Sequence, residues 1–240
     1  MAELEISIKT PFGEYQLHRY PVIKKETLRA WDSADEYVLQ YLDENKSLKE
    51  KTSLLIINDG FGGLSVPLSK YHPVVVTDSY LSTQAIIANA KSNMIDESEI
   101  TIIDSLVTPG QVTQDLFDVV LIKLPKSLAM LEDQLHRIRP VLAKSTLIVA
   151  SGMTKHIHLS TMALFEKIIG PTKTSLAQKK ARLIFSQLDE DLAVTENPYP
   201  RSYELPYQLD DVAIKVSSHA AVFSQEKLDI GTRFFIENLP

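Results

Sequence analysis

The sequence predicts an α/β protein with a doubly wound, mostly parallel sheet. An N-terminal β-hairpin and helix precede this sheet, and antiparallel C-terminal strands follow it. In the middle of the chain, short and wholly apolar segments alternate with helical ones, as expected for parallel strands covered by helices on both faces. In the last third, strand-like segments are joined directly by turns, which favours antiparallel pairing.

The first fifty residues contain the hairpin and the first helix. Apolar residues alternate over 4–8 and again over 15–19, with a turn at 11–14 between them. Apolar residues then recur at helical spacing over 28–42, which indicates an amphipathic helix. Three aromatic residues of this stripe could either pack in the core or stack on bases, and core packing is the simpler interpretation. They are Trp31, Tyr37 and Tyr41.

The remaining segments divide into a core and a tail. Strands are predicted at 53–57, 74–77, 100–103, 117–122 and 146–150, and helices at 82–93, 128–138 and 162–169. Strands of the tail are predicted at 175–177, 181–185, 203–209 and 212–216. The predicted units are therefore a hairpin and helix (1–50), a core (51–188), and antiparallel strands with a linker helix (189–240).

Composition narrows the function classes. No apolar run approaches the ~18 residues of a membrane span, and the acidic N-terminus is unlike a signal peptide. We therefore expect a cytoplasmic protein without a membrane partner. The sequence has no cysteine, which excludes thiolate metal sites, and His156 and His158 lack a third ligand nearby, so no metal is expected. The net charge of -6 is unusual for a nucleic-acid-binding domain.

Polar residues follow four consecutive predicted strands. Asp59, Asp78, Asp104 and Lys123 each stand at a strand's carboxyl end, which is the edge where open parallel sheets bind ligands. The first strand runs into the glycine-rich sequence 60–63. A glycine turn followed by an acid on the next strand is typical of a nucleotide site. Alternatively, the glycines serve only a tight strand-to-helix turn and Asp78 caps the next helix.

The order of these parts resembles class I SAM-dependent methyltransferases. That family's first motif is an acid-x-G-x-G-x-G loop. Gly60 and Gly62 match two of its glycines, whereas Ile56 stands at the acid position and Asn58 at the first glycine. The resemblance implies a Rossmann-like sheet of the methyltransferase type with a partly eroded cofactor loop.

Two further positions match the family, and a third motif does not. Asp78 corresponds to the acid that binds the cofactor ribose, and Asp104 to the residue that holds its adenine amine. Amino-group methyltransferases place Asn-Pro-Pro-aromatic after the fourth strand, where it accepts hydrogen bonds from the target amine. This chain has different residues there, namely Lys123, Leu124, Pro125 and Lys126. A charged lysine cannot accept a hydrogen bond, so no catalytic residue is expected in this chain.

Six segments make the resemblance more specific. They are 30–37, 57–62, 121–126, 165–172, 179–184 and 228–235. Together they are similar to the amino-terminal domain of the large-subunit ribosomal RNA guanine-N2 methyltransferase G family. The resemblance implies two methyltransferase-like domains in tandem, with a degenerate first domain and a catalytic second one beyond Pro240. S-adenosylmethionine would then serve the parent enzyme, and we expect this domain to bind none.

The expected role is RNA binding and positioning of the catalytic partner. Basic residues of the second half could form a phosphate-binding face, or a solvated surface balanced by acids. The best candidates are Lys179, Lys180, Arg182, Lys123 and Lys126. Two other functions remain open: an active S-adenosylmethionine site, favoured by Asp78 and Asp104, or a purely structural domain, favoured by the acidic net charge.

Overall fold

The computed structural model describes residues 5–113, 116–209 and 212–238. Leu4 and Pro240, which the sequence analysis used, lie outside these ranges. The strands are β1 (Ser7–Thr10), β2 (Gly13–Gln16), β3 (Leu54–Ile57), β4 (Val74–Thr77), β5 (Thr101–Asp104), β6 (Phe117–Lys123), β7 (Leu142–Met153), β8 (Thr172–Thr174), β9 (Ala181–Ser186), β10 (Arg201–Leu209) and β11 (Val212–Ser218). The α-helices are α1 (Ser33–Glu44), α2 (Tyr80–Ser92), α3 (Leu128–Ile138), α4 (Leu159–Ile168) and α5 (Ile230–Glu237).

A seven-stranded sheet organises the molecule. Its strand order is β5-β4-β3-β6-β7-β9-β8, and the neighbours from β5 to β7 are all parallel. β9 runs antiparallel to both β7 and β8. The pairs β1–β2 and β10–β11 form two separate antiparallel hairpins. The predicted α/β class, with its mostly parallel sheet and antiparallel ends, is confirmed.

Helices cover both faces of the sheet. All four residues of β3 are buried. Leu54 and Ile56 face the layer that contains α1 and α2, while Leu55 and Ile57 face the layer that contains α3 and α4. Successive strand side chains point to opposite faces, so burial on both sides accounts for the continuous apolar sequence of this strand.

The first helix begins later than its apolar pattern suggests. Asp32 is the N-cap, and its carboxylate accepts hydrogen bonds from the backbone of Ala34 and Asp35. The side chain of Asp35 in turn accepts a hydrogen bond from the backbone N–H of Asp32 at 2.9 Å. This capping box fixes the start of α1 at Ser33 rather than near residue 28.

The N-terminal hairpin is tied to α2 by two asparagines. Asn93 Oδ1 accepts a hydrogen bond from the backbone of Gln16, and Asn89 Oδ1 accepts one from the backbone of His18, both at 2.9 Å. Because these bonds span more than seventy residues, the hairpin is held to the core by specific contacts and not by packing alone.

Two strand assignments need correction. The predicted strand at 175–177 is wrong, because β8 lies at Thr172–Thr174 and the chain then loops to a turn at 178–181. β7 has 12 residues, far more than the predicted 146–150, because it extends at both ends beyond the continuous apolar run. No helix in the described part of the chain is long and apolar enough to cross a bilayer.

Candidate functional site

The four polar strand ends lie side by side at one edge of the sheet. Strand registers pair Thr77 with Asp104 and place Ile57 between Val76 and Ile122. The residues that follow β3 and β4 therefore sit beside the ends of β5 and β6. We call this the carboxyl edge, and it contains Asn58, Asp59, Asp78, Asp104 and Lys123.

Asp59 organises the glycine loop from the inside. It is fully buried, and its carboxylate accepts hydrogen bonds from the backbone of Gly62, Leu64 and Ser65 and from Ser65 Oγ, at 2.7–3.2 Å. All the hydrogen bonds shown for this carboxylate lie within the loop, so it is not turned towards a ligand.

The local backbone geometry requires glycine at only one of two positions in the loop. Gly62 has a φ of +86°, and a Cβ there would lie 2.8 Å from a methyl carbon of Val66, whereas a Cβ on Gly60 would meet nothing within 4 Å. Local geometry thus demands glycine at 62 and not at 60. The structure also corrects the alternative explanation in two respects: Ser79 rather than Asp78 caps α2, and a short 3-10 turn, Ser69–Tyr71, follows the loop in place of an α-helix.

Asn58 stands where the resemblance places the motif's first glycine. It adopts a φ of +65°, and its Nδ2 donates hydrogen bonds to the Lys123 carbonyl and to Gln134 Oε1, both at 2.9 Å. Gln134 Nε2 returns a bond to Asn58 Oδ1 at 2.7 Å. The amide therefore bridges β3, β6 and α3, and each of its polar atoms already has a protein partner.

Lys123 stands where the resemblance places the amine acceptor, and it forms an ion pair with the buried Asp35. Its ammonium lies 2.6 Å and 2.7 Å from the two carboxylate oxygens. Burial raises the pKa of Asp35 to about 6, although Lys123 works to lower it. Burial lowers the pKa of Lys123, but the charges of Asp35, Asp32 and Asp59 outweigh burial and hold that pKa above its usual range. This lysine has no free charge to offer a phosphate.

Asp78 and Asp104 border a groove of about 310 Å³. One wall comes from α3 and includes Gln134, and another comes from residues 219–222, which follow β11. Asp104 Oδ1 accepts a hydrogen bond from the Leu106 backbone at 2.7 Å. The two acids suit the ribose and adenine of a class I cofactor. The neighbouring loop suits the rest of it less well, because its Asp59 carboxylate is bonded within the loop and a side chain, Asn58, stands at the first glycine position. These residues therefore fit only part of the cofactor.

The predicted RNA-binding lysines occupy the tip of a tight turn. Gln178 and Ala181 exchange backbone hydrogen bonds of 2.9 Å and 2.8 Å, so Lys179 and Lys180 are the two central residues. Their φ values are +46° and +64°, the left-handed region that such turns normally fill with Asn-Gly. We call residues 178–181 the lysine turn. Lys180 is exposed, and Lys179 pairs with Glu36 at 3.2 Å.

The other predicted cations do not join this turn. Arg182 lies on β9 opposite Gly152, and its Nε is buried without a partner. Lys126 is exposed just after β6. Arg139, another basic residue of the second half, donates to the carbonyls of Ile168, Ile169 and Asp189. The structure thus leaves a two-lysine tip, and the other basic residues lie elsewhere.

Residues 5–190 match the family described as the RLMG N-terminal domain. The chain belongs to this family. Curated relatives agree with the assignment. A protein of Streptomyces griseus named ribosomal RNA large subunit methyltransferase G is 44% identical over 234 residues, which cover 96% of this chain and 60% of that protein. A protein of the same name from Psychromonas ingrahamii is 44% identical, over 93% of this chain and 57% of its own length.

The RLMG N-terminal domain shares its fold with solved methyltransferases. A 16S rRNA N2 methyltransferase from T. thermophilus, in complex with AdoMet and guanosine, superposes with a TM-score of 0.59 at 13% identity, over 96% of this chain and 56% of that one. A protein from Streptococcus mutans described as a SAM-dependent methyltransferase gives 0.57 at 12% identity, over 77% and 56%. The chain spans about 60% of the length of the curated relatives above, so it corresponds to part of such a protein.

Sequence reasoning missed two residues that close the carboxyl edge of this RLMG N-terminal domain. Asp35 and Gln134 are buried, and each bonds a residue of the carboxyl edge. A signal for Asp35 was present, because it lies four residues after Trp31 and three before Val38, on the inward stripe of α1. Gln134 similarly precedes Leu135 within the apolar side of α3.

Proposed function

We propose that this chain is the non-catalytic N-terminal domain of an S-adenosylmethionine-dependent methyltransferase that modifies guanine N2 in 23S ribosomal RNA. In this role it contributes RNA contacts and positions the catalytic domain. The observation that carries the proposal is the Lys123–Asp35 ion pair at the position where an amine acceptor would be needed.

The relatives support the proposed parent activity. Curated relatives are named as large-subunit ribosomal RNA methyltransferases, and a protein with the same fold is described as acting on N2 of 16S rRNA. The relatives are longer than this chain, which leaves about 40% of their length for a further domain. A catalytic domain in that portion would account for activity without a complete site here.

Hydrogen-bond chemistry supports the absence of catalysis in this domain. Transfer of a methyl group to an exocyclic amine requires an acceptor that orients the amine. The same acceptor stabilises the positive charge that develops on the nitrogen as the bond forms. At this edge the Lys123 side chain donates to Asp35, and its backbone carbonyl accepts from Asn58. The side chain at that position is therefore a donor where a guanine amine would need an acceptor.

Calorimetric titration of the protein with S-adenosylmethionine tests the non-catalytic assignment. We expect no binding in the micromolar range. Micromolar binding that is lost in Asp78→Asn would contradict the proposal and support an active cofactor site, because only the acids of the groove remain to hold the ribose. The matched control is Asp96→Asn, which changes an exposed aspartate on a loop away from the groove.

The lysine turn supports contact with RNA. Two adjacent cations at an exposed tip supply the kind of phosphate contact that dominates RNA affinity. Electrophoretic mobility shift with protein-free 23S RNA would compare the original protein with Lys179→Ala/Lys180→Ala. The matched control is Lys24→Ala/Lys25→Ala, which removes two adjacent exposed lysines from a turn elsewhere.

We expect the lysine-turn variant to bind more weakly and the control to bind as the original protein does. Equal affinity of all three proteins would instead favour a purely structural domain, in keeping with the net charge of -6. Positioning of a catalytic domain is supported by α5, which exposes 84% of Ile230, 67% of Phe234 and 64% of Phe235. Such apolar exposure is typical of a surface that another domain covers.

A further inference from the structure

A large groove lies away from the carboxyl edge. It has a volume of about 590 Å³ and is formed by α1, the amino-terminal half of β7, β8 and the end of β9. Residues of β7 that line it, 144–148, precede Ser151, the residue paired with Lys123. At ~3.3 Å per strand residue, the groove is therefore more than one residue layer removed from the degenerate cofactor site. We call it the Tyr41 groove.

An aromatic pair borders the Tyr41 groove. The rings of Tyr41 and Phe185 are 4.9 Å apart between centroids and inclined by 50°, and both side chains are only partly buried. The Tyr41 hydroxyl has no hydrogen-bond partner among the described residues, and burial raises its pKa. The hydroxyl is therefore a neutral group that can both donate and accept a bond with a molecule in the groove.

Two lysines give the groove a positive charge. Lys173 lies directly opposite Phe185 in the β8–β9 register, so both side chains point to the α1 face. Lys144 stands at the other side of the groove. Both lysines are exposed and neither has an ionic partner in the described part of the chain. No aspartate or glutamate is among the described residues that line the groove, although the whole chain carries a net charge of -6.

Neutral polar groups complete the lining. The side chains of Ser145 and Gln187 border the groove and make no hydrogen bonds to other described residues. An aromatic wall, unpaired cations and free polar groups together match a ligand that has a flat π-face, an anionic group and base-edge donors and acceptors. Those are the parts of a nucleotide, and protein sites for unpaired RNA bases combine the same elements.

We propose that the Tyr41 groove binds one unpaired nucleotide of the RNA substrate, with the base against Tyr41 and Phe185 and the flanking phosphates near Lys144 and Lys173. The choice of RNA over a free nucleotide rests on the proposed function. It is supported by position, because β9 leads from Phe185 at the groove to Ala181 at the lysine turn, about 13 Å away at the rise of a strand. One short RNA segment can span that distance.

Fluorescence anisotropy with a labelled single-stranded hexanucleotide tests the assignment. The variants are Lys144→Ala/Lys173→Ala, which alters only exposed side chains, and Tyr41→Phe and Tyr41→Ala. The lysine variant is expected to bind about tenfold more weakly and to lower the salt slope by about 1.4, as two lost phosphate contacts to a single strand require. Tyr41→Ala should weaken binding at least about fivefold, and Tyr41→Phe much less, since base stacking is retained.

Three controls make the outcomes decisive. A duplex of the same sequence should lose less affinity than the single strand in Lys144→Ala/Lys173→Ala, because its bases are not free to enter. Guanosine monophosphate should bind more weakly than the hexanucleotide. Lys24→Ala/Lys25→Ala should bind like the original protein. Photocrosslinking followed by peptide mapping should place the RNA on peptides that contain Tyr41 or Phe185.

The inference is overturned if Lys144→Ala/Lys173→Ala binds single strands like the original protein, or if crosslinks map away from the groove. Tighter binding of the mononucleotide than of RNA would overturn the RNA assignment. Parallel measurements on Lys179→Ala/Lys180→Ala separate the two proposals. If only this variant loses RNA affinity, the lysine turn contacts RNA and the groove does not. If only the groove variants lose affinity, the groove contacts RNA and the lysine turn does not.

Discussion

The carboxyl edge and the Tyr41 groove use their polar side chains in opposite ways. At the edge, Asn58, Asp59 and Lys123 are each bonded to other residues of the chain. In the groove, Lys144 and Lys173 have no ionic partner among the described residues. Buried polar groups must find partners somewhere. At the edge the fold itself supplies those partners, whereas an open surface can leave its polar groups for a ligand.

The largest expected effect lies at the edge, where Lys123 neutralises Asp35. Lys123→Met should lower the free energy of unfolding by about 3–5 kcal/mol, because it leaves a buried carboxylate without its counter-charge. Urea denaturation measures this. Asp35→Asn/Lys123→Met should recover most of the loss, since no buried charge then remains. If the single and double variants are equally unstable, the charge pair is not what closes the edge.

The same pair predicts a specific pH dependence. The pKa of Asp35 is raised from its ordinary 3.8 to about 6 in the folded protein. Because the folded state holds this proton more tightly than the unfolded state, the carboxyl's contribution is fully present below pH 3.8 and is lost as the pH rises through 6. Relative to Asp35→Asn, the original protein should therefore become more stable between about pH 7 and pH 4, by up to about 3 kcal/mol.

Unfolding curves of both proteins across that pH range measure the difference between their free energies of unfolding. Comparison with Asp35→Asn removes the contributions of the other titrating groups, which the two proteins share. A difference that stays constant with pH would mean that Asp35 titrates normally and is less buried than its contacts indicate.

The amide bridge at Asn58 should have a smaller effect. Asn58→Ala leaves the buried amide of Gln134 without partners and should cost about 1–3 kcal/mol of stability. Asn45→Ala is the matched control, since this exposed asparagine makes one side-chain bond, to the Tyr41 carbonyl. The midpoints of urea denaturation give the stability lost in each variant relative to the original protein. Similar losses in both would show that the bridge contributes little to closing the edge.

The fold was largely predictable from the sequence, but the internal bonds of the polar residues at the carboxyl edge were not. Apolar runs such as β3 report burial on both faces directly, and Gly60, Gly62, Asp78 and Asp104 mark the carboxyl edge by their order alone. Partners across the fold leave weaker signals. Asp35 and Lys123 are 88 residues apart, and helical spacing shows only that Asp35 points inward. The local pattern also did not indicate that a short 3-10 turn, and not an α-helix, follows the glycine loop.

The lysine turn provides the finest test, since it keeps two cations in a backbone conformation that disfavours them. A left-handed conformation costs an ordinary residue roughly 1–2 kcal/mol, and Asn-Gly adopts it readily. Lys179→Asn/Lys180→Gly should therefore raise the free energy of unfolding by about 1 kcal/mol, net of the exposed pair that Lys179 forms with Glu36. Lys179→Ala/Lys180→Ala keeps both Cβ atoms and should not gain this stability, although both variants should bind RNA more weakly. Thermal unfolding beside RNA titration separates the two effects. If the Asn-Gly variant is more stable and binds RNA with unchanged affinity, the two lysines do not serve RNA binding. The Tyr41 groove is then the remaining candidate RNA contact of this domain.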